Sequence, residues 1–485
     1  MATRRGWVEW LRRAIGLDRA IVYTVAARLC QIASSVGTVL LILHFLSPAE
    51  QGYYYTVFSL AALQTVFELG FSFVILQMAA HESALLIFHP DGRIEGDHVA
   101  HARLASVLHL TVRWYLRAAL ALAVVLLPLG ILFFAQMAHA VDRVHWLGPW
   151  VAAVLATSVT FFLTPLCSFI EGCNHVRQVA RLRMYQALIV MAISWSTIAS
   201  GHGLYACALI NLGWTVSCLV FLARRGPLVL SLLRYPTGEN GISWRSEIWP
   251  FQWKIAVSWL CCYFTMQVFT PVIFAFRGPE EAGRMGISLS IVGYLPIVAL
   301  CWMMPKAVPF GQLIKFGRFE ELDALFWGTF KQSVVLILIL TGTCFTAVLC
   351  VQSLLPKIGS RLETPFIFAL LLFAAAGSFA VQSMAIYLRS FKREPYLFQS
   401  MAVALLTVAG ILLTASRWGS LAIAIIYFAV SGVVGLLWAI AIFQSQRKLH
   451  VANCGALPDI PFCSASIVGA SGVALRNNGT ARGAK

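Results

Sequence analysis

Residues 46–60 read LSPAEQGYYYTVFSL, and residues 277–291 read RGPEEAGRMGISLSI. Both stretches carry the pattern P-x-E-x-G, then six further residues, and then a serine followed by an aliphatic residue. The differences 279 − 48 and 283 − 52 are both 231, and the dipeptide LC at positions 29–30 recurs at 260–261 with the same offset. The motif itself is predicted to form a turn, with proline opening it and glycine closing it. The constant offset indicates that the chain contains two copies of one unit.

Composition places these copies in a membrane. The chain has 485 residues, of which 59% are hydrophobic and 12% charged, and its mean hydropathy is +0.79. Apolar stretches such as 21–45, 53–80 and 421–443 carry few charges and are long enough to cross ~30 Å of hydrocarbon as helices. We therefore expect an all-α, polytopic membrane protein.

Hydropathy and helix-breaking residues predict twelve spans. They lie near residues 20–46, 53–80, 114–137, 147–171, 184–201, 203–222, 250–276, 283–304, 331–352, 364–388, 397–416 and 419–443. The resulting domains are a tail (1–19), an N-lobe (20–222), a linker (223–249), a C-lobe (250–443) and a second, disordered tail (444–485). Because six is an even number, the two lobes enter the membrane in the same orientation and should enclose a central cavity.

The distribution of basic residues predicts the orientation of the chain. About 26 lysines and arginines fall in the tails and in the loops after even-numbered spans, whereas six fall in the opposite loops. Both termini and the linker should therefore be cytoplasmic. This asymmetry and anionic membrane lipids account for the net charge of +16, so we expect no nucleic-acid partner.

Longer segments around the repeat resemble a known family. The relevant stretches are SPAEQGYYYTVFSLAALQTVFELG, GPEEAGRMGISLSIVGYLP and KAVPFGQLIKFGRFEELDAL. With twelve spans in two parallel lobes, they resemble the multidrug/oligosaccharidyl-lipid/polysaccharide (MOP) exporter superfamily, and within it the polysaccharide-transporter, O-antigen-flippase-like branch. The resemblance implies a flippase of the bacterial inner membrane, moving undecaprenyl-diphosphate-linked glycan towards the periplasm. A glycan polymerase and glycosyltransferases would be its partners.

Ionisable residues inside the apolar stretches are candidate site residues, because charges are costly at that depth. Span 1 carries Arg28 and Gln31 on one helical face, and span 2 carries Gln64 and Glu68 on another. We predict that these arginine and glutamine side chains bind substrate, and that Lys254 in span 7 and Arg117 in span 3 do so as well. Glu68 is the candidate for coupling transport to a proton or cation. Each polar residue could instead serve helix packing, and Arg28 could simply pair with Glu68.

The two cations are not symmetry mates. At the offset of 231, Arg28 aligns with Trp259, and Lys254 aligns with Tyr23. The predicted cavity is therefore asymmetric, with one cation from each lobe. Basic residues outnumber acidic ones within the spans, which favours an anionic substrate.

Motifs for catalysis are absent from the sequence. It contains no G-x-x-x-x-G-K-[ST], H-E-x-x-H or G-x-S-x-G pattern, so we expect neither an enzyme nor a cofactor. His98 and His101 have a spacing that could bind metal on a helix, but a solvated loop over residues 81–112 is the preferred interpretation, with no metal site. Two alternatives stay open: a cation antiporter of the same superfamily that exports drugs or metabolites, and a non-transporting membrane scaffold for glycan synthesis.

Overall fold

The computed structural model describes residues 19–89, 93–137, 144–236, 249–315, 317–391 and 395–454, which are almost entirely helical. The helices of the first copy are α1 (Arg19–Phe45), α2 (Pro48–Ala61), α3 (Gln64–Glu68), α4 (Phe71–Ser83), α5 (His98–Met137), α6 (Leu147–Ile170), α7 (Val176–Ala199), α8 (Ala206–Arg224) and α9 (Gly226–Arg234). Between α4 and α5 lies an antiparallel hairpin of β1 (Leu86–Phe88) and β2 (Ile94–Gly96), with Leu86 opposite Gly96.

The second copy repeats this plan. Its helices are α10 (Trp249–Met266), α11 (Phe269–Arg277), α12 (Pro279–Leu300), α13 (Ala307–Lys315), α14 (Phe319–Leu354), α15 (Pro356–Gly359), α16 (Pro365–Arg389), α17 (Leu397–Ile426) and α18 (Gly435–Cys454). A π-helical segment, Tyr427–Val434, joins α17 to α18, as Glu171–His175 joins α6 to α7.

The described residues contain nine or ten candidate membrane spans, where the sequence predicts twelve. Nine helical segments are long and apolar enough to span a bilayer, and α2 to α4 form a tenth, bent by 44°. Two of the nine, Leu147–Ala199 and Leu397–Arg447, have 53 and 51 residues, about twice the length that one crossing needs. Asn174 and Gly419 interrupt them with non-helical backbone angles. Each of the two segments is therefore long enough for two crossings, and two in each would bring the ten to the predicted twelve.

The predicted loop over residues 81–112 is wrong. The hairpin lies in its first half, and α5 already begins at His98, sixteen residues before the predicted span at residue 114. Asp97 explains this start, because its carboxylate accepts a hydrogen bond from the backbone N–H of Ala100 (2.9 Å), as a helix cap does. The ring of His101 stacks on Tyr235 (3.7 Å between centroids), and His98 lies 3.4 Å from the hydroxyl of Tyr235.

The other boundaries differ at two places. Helix α9 occupies part of the predicted linker, and α18 continues through Cys454 instead of ending at residue 443. Asp323 of α14 binds Arg447 of α18 (2.6 Å), which extends the last helix beyond the membrane. The remaining parts of the predicted tails and linker, residues 1–18, 237–248 and 455–485, lie outside the described residues.

Among the described residues, the two lobes share an apolar core at one end. One cluster of buried side chains spans both lobes and places Phe274 of the C-lobe against Tyr53 and Phe134 of the N-lobe, with ring centroids 4.9 and 5.6 Å apart. A second cluster, around Phe310 and Phe326, consists of C-lobe residues alone. Aromatic packing therefore joins the lobes at the end that the charge distribution predicts to be extracytoplasmic.

Candidate functional site

Both copies of the repeated motif begin a helix. In the first copy Ser47 caps α2: its hydroxyl accepts from the N–H of Glu50 (3.2 Å), and the Glu50 carboxylate accepts from the N–H of Ser47 (2.8 Å). In the second copy Gly278 precedes Pro279, and the Glu281 carboxylate instead accepts from the N–H of Ser420 (2.6 Å). The turn prediction is therefore wrong in one respect, because the glycine of the motif lies inside the helix and does not close a turn.

These glycines are the points at which the lobes meet. A Cβ atom on Gly52 would lie 1.9 Å from the carbonyl oxygen of Pro279, and one on Gly283 would lie 2.9 Å from the backbone nitrogen of Gly52. Gln51 completes the contact, since its side-chain amide donates to the carbonyl of Gly283 (2.7 Å). The repeated motifs thus pack against each other across the pseudo-symmetry axis. We call this contact, formed by residues 48–52 and 279–283, the seal.

A loop from the C-lobe covers the seal. Arg361 donates from its guanidinium to the carbonyl of Leu43 (2.7 Å), and its own carbonyl accepts from Gln51 (3.3 Å). Burial lowers the pKa of Arg361, and the nearby Glu50 partly offsets that shift. The loop therefore connects the end of α1 in one lobe with the segment before α16 in the other.

Glu363 lies in the same loop and is 3% exposed. Its Oε2 accepts from the hydroxyl of Ser420 (3.1 Å), and its backbone N–H donates to Ser288 (3.2 Å), whereas its Oε1 has no partner among the described residues. Burial raises the pKa of Glu363 to about 7, a shift that Ser420 and Arg284 reduce and Glu281 increases. The neutral carboxyl is therefore the form that fits the closed seal.

The seal should depend on pH through this group. Separation of the lobes would uncover the loop of Arg361 and Glu363 and return Glu363 to water, with an ordinary pKa near 4.5. The closed state would then gain stability as the pH falls from about 7 towards 4.5, and above 7 its stability would no longer change with pH through this group. We expect the ratio of closed to open molecules to change by up to about 100-fold over that range. Distances between spin labels at the exposed positions His44 and Lys357, one in each lobe, would measure it. Glu363→Gln should flatten the pH profile, and an unchanged profile in this variant would contradict the assignment.

Below the seal, polar side chains of α1 and α2 in the N-lobe contact polar side chains of α12 in the C-lobe. Tyr55 lies 3.3 Å from Ser290, and Tyr294 forms a hydrogen bond with Ser35 of α1. Gln31 and Arg28 lie about one and two turns before Ser35 on the same face of α1, and both are exposed. The guanidinium of Arg28 donates to Gln31 (3.2 Å). Ser35, Gln31 and Arg28 therefore share one face of α1, and we call the space beside the exposed part of this face the crevice.

The second span of each copy is broken at the same place. In the N-lobe the chain between α3 and α4 takes left-handed angles at Leu69 (φ 52°) and Gly70 (φ 67°). In the C-lobe α12 ends at Leu300, which stands 231 positions after Leu69. Pro305 contributes to this second break, because it has no N–H to donate to the preceding turn. Broken spans are typical of transporters, in which they expose backbone polar groups at the depth of a binding site.

Glu68 is the last residue of α3, at the N-lobe break. It lines a pocket of about 240 Å³ together with Gln64, Ser72, Tyr115, Thr160, Phe161, Thr164, Pro165, Ile210, Asn211 and Trp214. Ser72 forms a hydrogen bond with Glu68 and lies 3.1 Å from the hydroxyl of Tyr115. Among the described residues Glu68 forms no ion pair, whereas Glu82 and Glu171 are bound by Arg103 and Arg183. The pocket therefore combines an unneutralised carboxylate with neutral oxygen ligands.

The structure brings some of the predicted site residues together and separates others. Gln64 and Glu68 share one pocket, Arg28 and Gln31 share another face, and Arg28 does not form the ion pair with Glu68 that sequence allowed. Arg117 is exposed on α5 and belongs to neither group. The side chain of Lys254 lies outside the described residues, although its backbone belongs to α10.

Several residues of these sites escaped the sequence analysis. Tyr115, Thr160 and Asn211 surround Glu68 from three different helices, α5, α6 and α8. Tyr115 and Asn211 are polar residues inside apolar stretches and so were detectable in the sequence. Hydropathy does not show, however, towards which neighbours their side chains point. Arg361 was counted only among the loop charges and Glu363 was not singled out, because nothing in the sequence indicates that this loop is buried.

Comparisons with known proteins agree with the architecture. The sequence matches neither a protein-family model nor a curated protein. Among solved structures, an inward-facing multidrug resistance MATE family transporter of the MOP superfamily aligns with a TM-score of 0.54 and 14% identity, covering 85% of this chain and 98% of that one. The lipid II flippase MurJ, in an inward closed conformation, aligns with a TM-score of 0.58 and 12% identity, over 90% and 94%. The chain has the MOP fold.

The eukaryotic MATE transporter AtDTX14 shows the same relationship, with a TM-score of 0.58, 13% identity, and coverage of 92% of this chain and 99% of that one. The MOP fold is thus shared by proteins described as multidrug transporters and by one described as a lipid II flippase. Because one fold carries both activities, the choice between them must come from the residues of the site.

Proposed function

We propose that this chain is a transporter that moves an anionic, lipid-linked glycan of the undecaprenyl-diphosphate type from the cytoplasmic to the periplasmic leaflet. It would act in the bacterial inner membrane, with both termini cytoplasmic, and supply polysaccharide or O-antigen synthesis by a glycan polymerase and glycosyltransferases. One observation carries the proposal. Arg28 is exposed on the face of α1 that would line the crevice, and it has no carboxylate partner among the described residues. A guanidinium in that position can bind a diphosphate through paired hydrogen bonds.

The seal supports alternating access as the mechanism. The lobes touch closely through the glycines of the repeated motif, and the crevice below is bordered by polar side chains. In the proposed cycle the diphosphate enters the crevice from the cytoplasmic side, the seal opens, and the lobes close on the cytoplasmic side. The isoprenoid chain stays in the lipid, since it gains nothing from a polar crevice.

Reconstitution tests this cargo directly. The full chain in vesicles should accelerate transbilayer movement of a polyprenyl-diphosphate disaccharide, and should not take up an organic cation dye. A chain that carries the dye and leaves the disaccharide in place would reverse the assignment. A chain that carries neither would favour the scaffold interpretation.

The Glu68 pocket is the observation that favours the rival cation antiporter, because it offers a carboxylate beside Tyr115 and Trp214. Its volume of about 240 Å³ is below the range of ~300 to 1,000 Å³ for drug-sized ligands. The pocket suits a proton or a small cation with oxygen ligands better than an organic substrate. We therefore assign Glu68 to energy coupling.

Glu68→Gln tests the coupling role. We expect the rate of gradient-driven flipping to fall at least about 10-fold, towards the rate without a gradient, because the amide neither takes up a proton nor neutralises a cation. Flipping without an imposed proton or sodium gradient should continue at its basal rate. Glu68→Asp keeps the charge and should retain part of the response. A Gln variant that follows the gradient as the wild type does would leave Glu68 with a structural role only.

A further inference from the structure

A second pocket lies at the cytoplasmic end of the N-lobe, as the charge distribution orients the chain. It has a volume of about 240 Å³ and is formed by the start of α1, the start of α7 and the turn between α8 and α9. Its lining consists of Tyr23, Arg177, Gln178, Arg181 and Arg225. We call it the arginine pocket.

The arginine pocket is separate from the crevice. Tyr23 precedes Gly37 by fourteen residues, about four helical turns, so the two share one face of α1. Gly37 packs against the ring of Trp195 in α7, where a Cβ atom would lie 2.3 Å from that ring. This face therefore points into the N-lobe, whereas Arg28 lies on the face that borders the C-lobe.

The three guanidinium groups have no carboxylate to balance them. None of the three arginines forms an ion pair with another described residue, and the nearby Glu171 is already bound by Arg183 (2.6 Å). The cytoplasmic orientation of these loops explains why they contain arginines. It does not explain why three of the arginines line one cavity. Like charges brought together in this way repel one another unless an anion lies between them.

Further features of the arginine pocket also favour an anion. Helix α7 begins at Val176, next to Arg177, and α9 begins at Gly226, directly after Arg225, so the positive ends of two helix dipoles lie beside it. The hydroxyl of Tyr23 is a further donor. The side-chain oxygen of Gln178 has no partner among the described residues, which leaves its amide free to rotate and present the NH2 group.

We propose that the arginine pocket binds the phosphate group of an anionic ligand at the cytoplasmic surface. The phosphate would come from the headgroup of an anionic membrane lipid or from a soluble phosphate compound, and both present the same oxygens to the guanidinium groups. The site goes beyond the proposed flipping of a glycan, because its occupancy needs neither the crevice nor Glu68.

The test uses the full chain in nanodiscs of phosphatidylcholine, which is zwitterionic and has no net charge, with inorganic pyrophosphate as the probe. We expect saturable binding that weakens at least about 10-fold in Arg181→Gln and again when Arg177→Gln is added, since each loses a charged, bidentate donor. Arg224→Gln is the matched control, because Arg224 neighbours Arg225 in sequence, is exposed and does not line the pocket. Its affinity should stay within about two-fold of the wild type.

A second arm identifies the source of the phosphate. In nanodiscs containing phosphatidylglycerol, weaker pyrophosphate binding by the wild type would support a lipid headgroup as the occupant, and unchanged binding would support a soluble phosphate. The proposal is overturned if the wild type does not bind pyrophosphate saturably, or if Arg224→Gln loses as much affinity as Arg181→Gln. Thermal unfolding of each variant separates loss of the site from loss of the fold. Because binding is measured without transport, a failure here is distinct from a failure of the flippase proposal.

Discussion

Arg28→Ala should abolish transport of the anionic glycan. Truncation of a charged partner that binds a desolvated anion typically costs several kcal/mol, so we expect the flipping rate in vesicles to fall by about 100-fold or more. The protein should still reach the membrane at the wild-type level, because Arg28 is exposed and its described hydrogen bond joins it to Gln31 of its own helix. In cells, the same change should eliminate the surface glycan in a complementation assay.

A conservative variant and a control variant accompany this substitution. Arg28→Lys keeps the positive charge but loses the paired donors of the guanidinium, and should retain an intermediate rate. Arg113→Ala removes an exposed arginine of α5, and should leave the rate unchanged. Normal flipping by Arg28→Ala would remove Arg28 from the mechanism and with it the main support for an anionic cargo.

Gly52→Ala should prevent the seal from closing. The added Cβ would lie 1.9 Å from the carbonyl oxygen of Pro279, and this obstacle is backbone, which cannot rotate away as a side chain can. The lobes must therefore separate where the repeated motifs meet. We expect transport to fall about 10-fold or more, because a cycle that cannot close on one side cannot alternate. The spin-label distance between His44 and Lys357 should lengthen at the same time.

Gly293→Ala is the control for this substitution. Gly293 lies in α12, and no atom lies within 4 Å of the position that its Cβ would take. Alanine stabilises a helix interior by about 1 kcal/mol relative to glycine, so this variant should be at least as stable as the wild type and should transport normally. Equal behaviour of the two alanine variants would show that close packing at Gly52 is unimportant for function.

The sequence predicted the architecture well and the sites only in part. The offset between the two P-x-E-x-G motifs predicted two lobes, and the structure adds that the motifs meet each other at Gly52 and Gly283. Glu68 stood out because a carboxylate in an apolar stretch is rare. Its neighbours Tyr115 and Asn211 did not, because they come from helices that are distant in sequence and meet only in the folded lobe.

The span boundaries were likewise predicted only in part. Hydropathy located the apolar part of α5 but not its start at His98, because the first turns of that helix lie beyond the apolar stretch and are stabilised by packing and by the Asp97 cap. Likewise, the arginines of the arginine pocket were visible as loop charges, and only their convergence around one cavity indicates a ligand.

Hydropathy, charge asymmetry and a constant repeat distance are properties of a linear chain, so the sequence alone determined an all-α, polytopic membrane protein and predicted twelve spans, two lobes and an orientation. The tertiary structure decided which helix faces meet: the glycine contact in the seal, the separation of Arg28 from Glu68, and the burial of Glu363. These outcomes depend on the rotation and bending of each helix against its neighbours, which follow from three-dimensional packing.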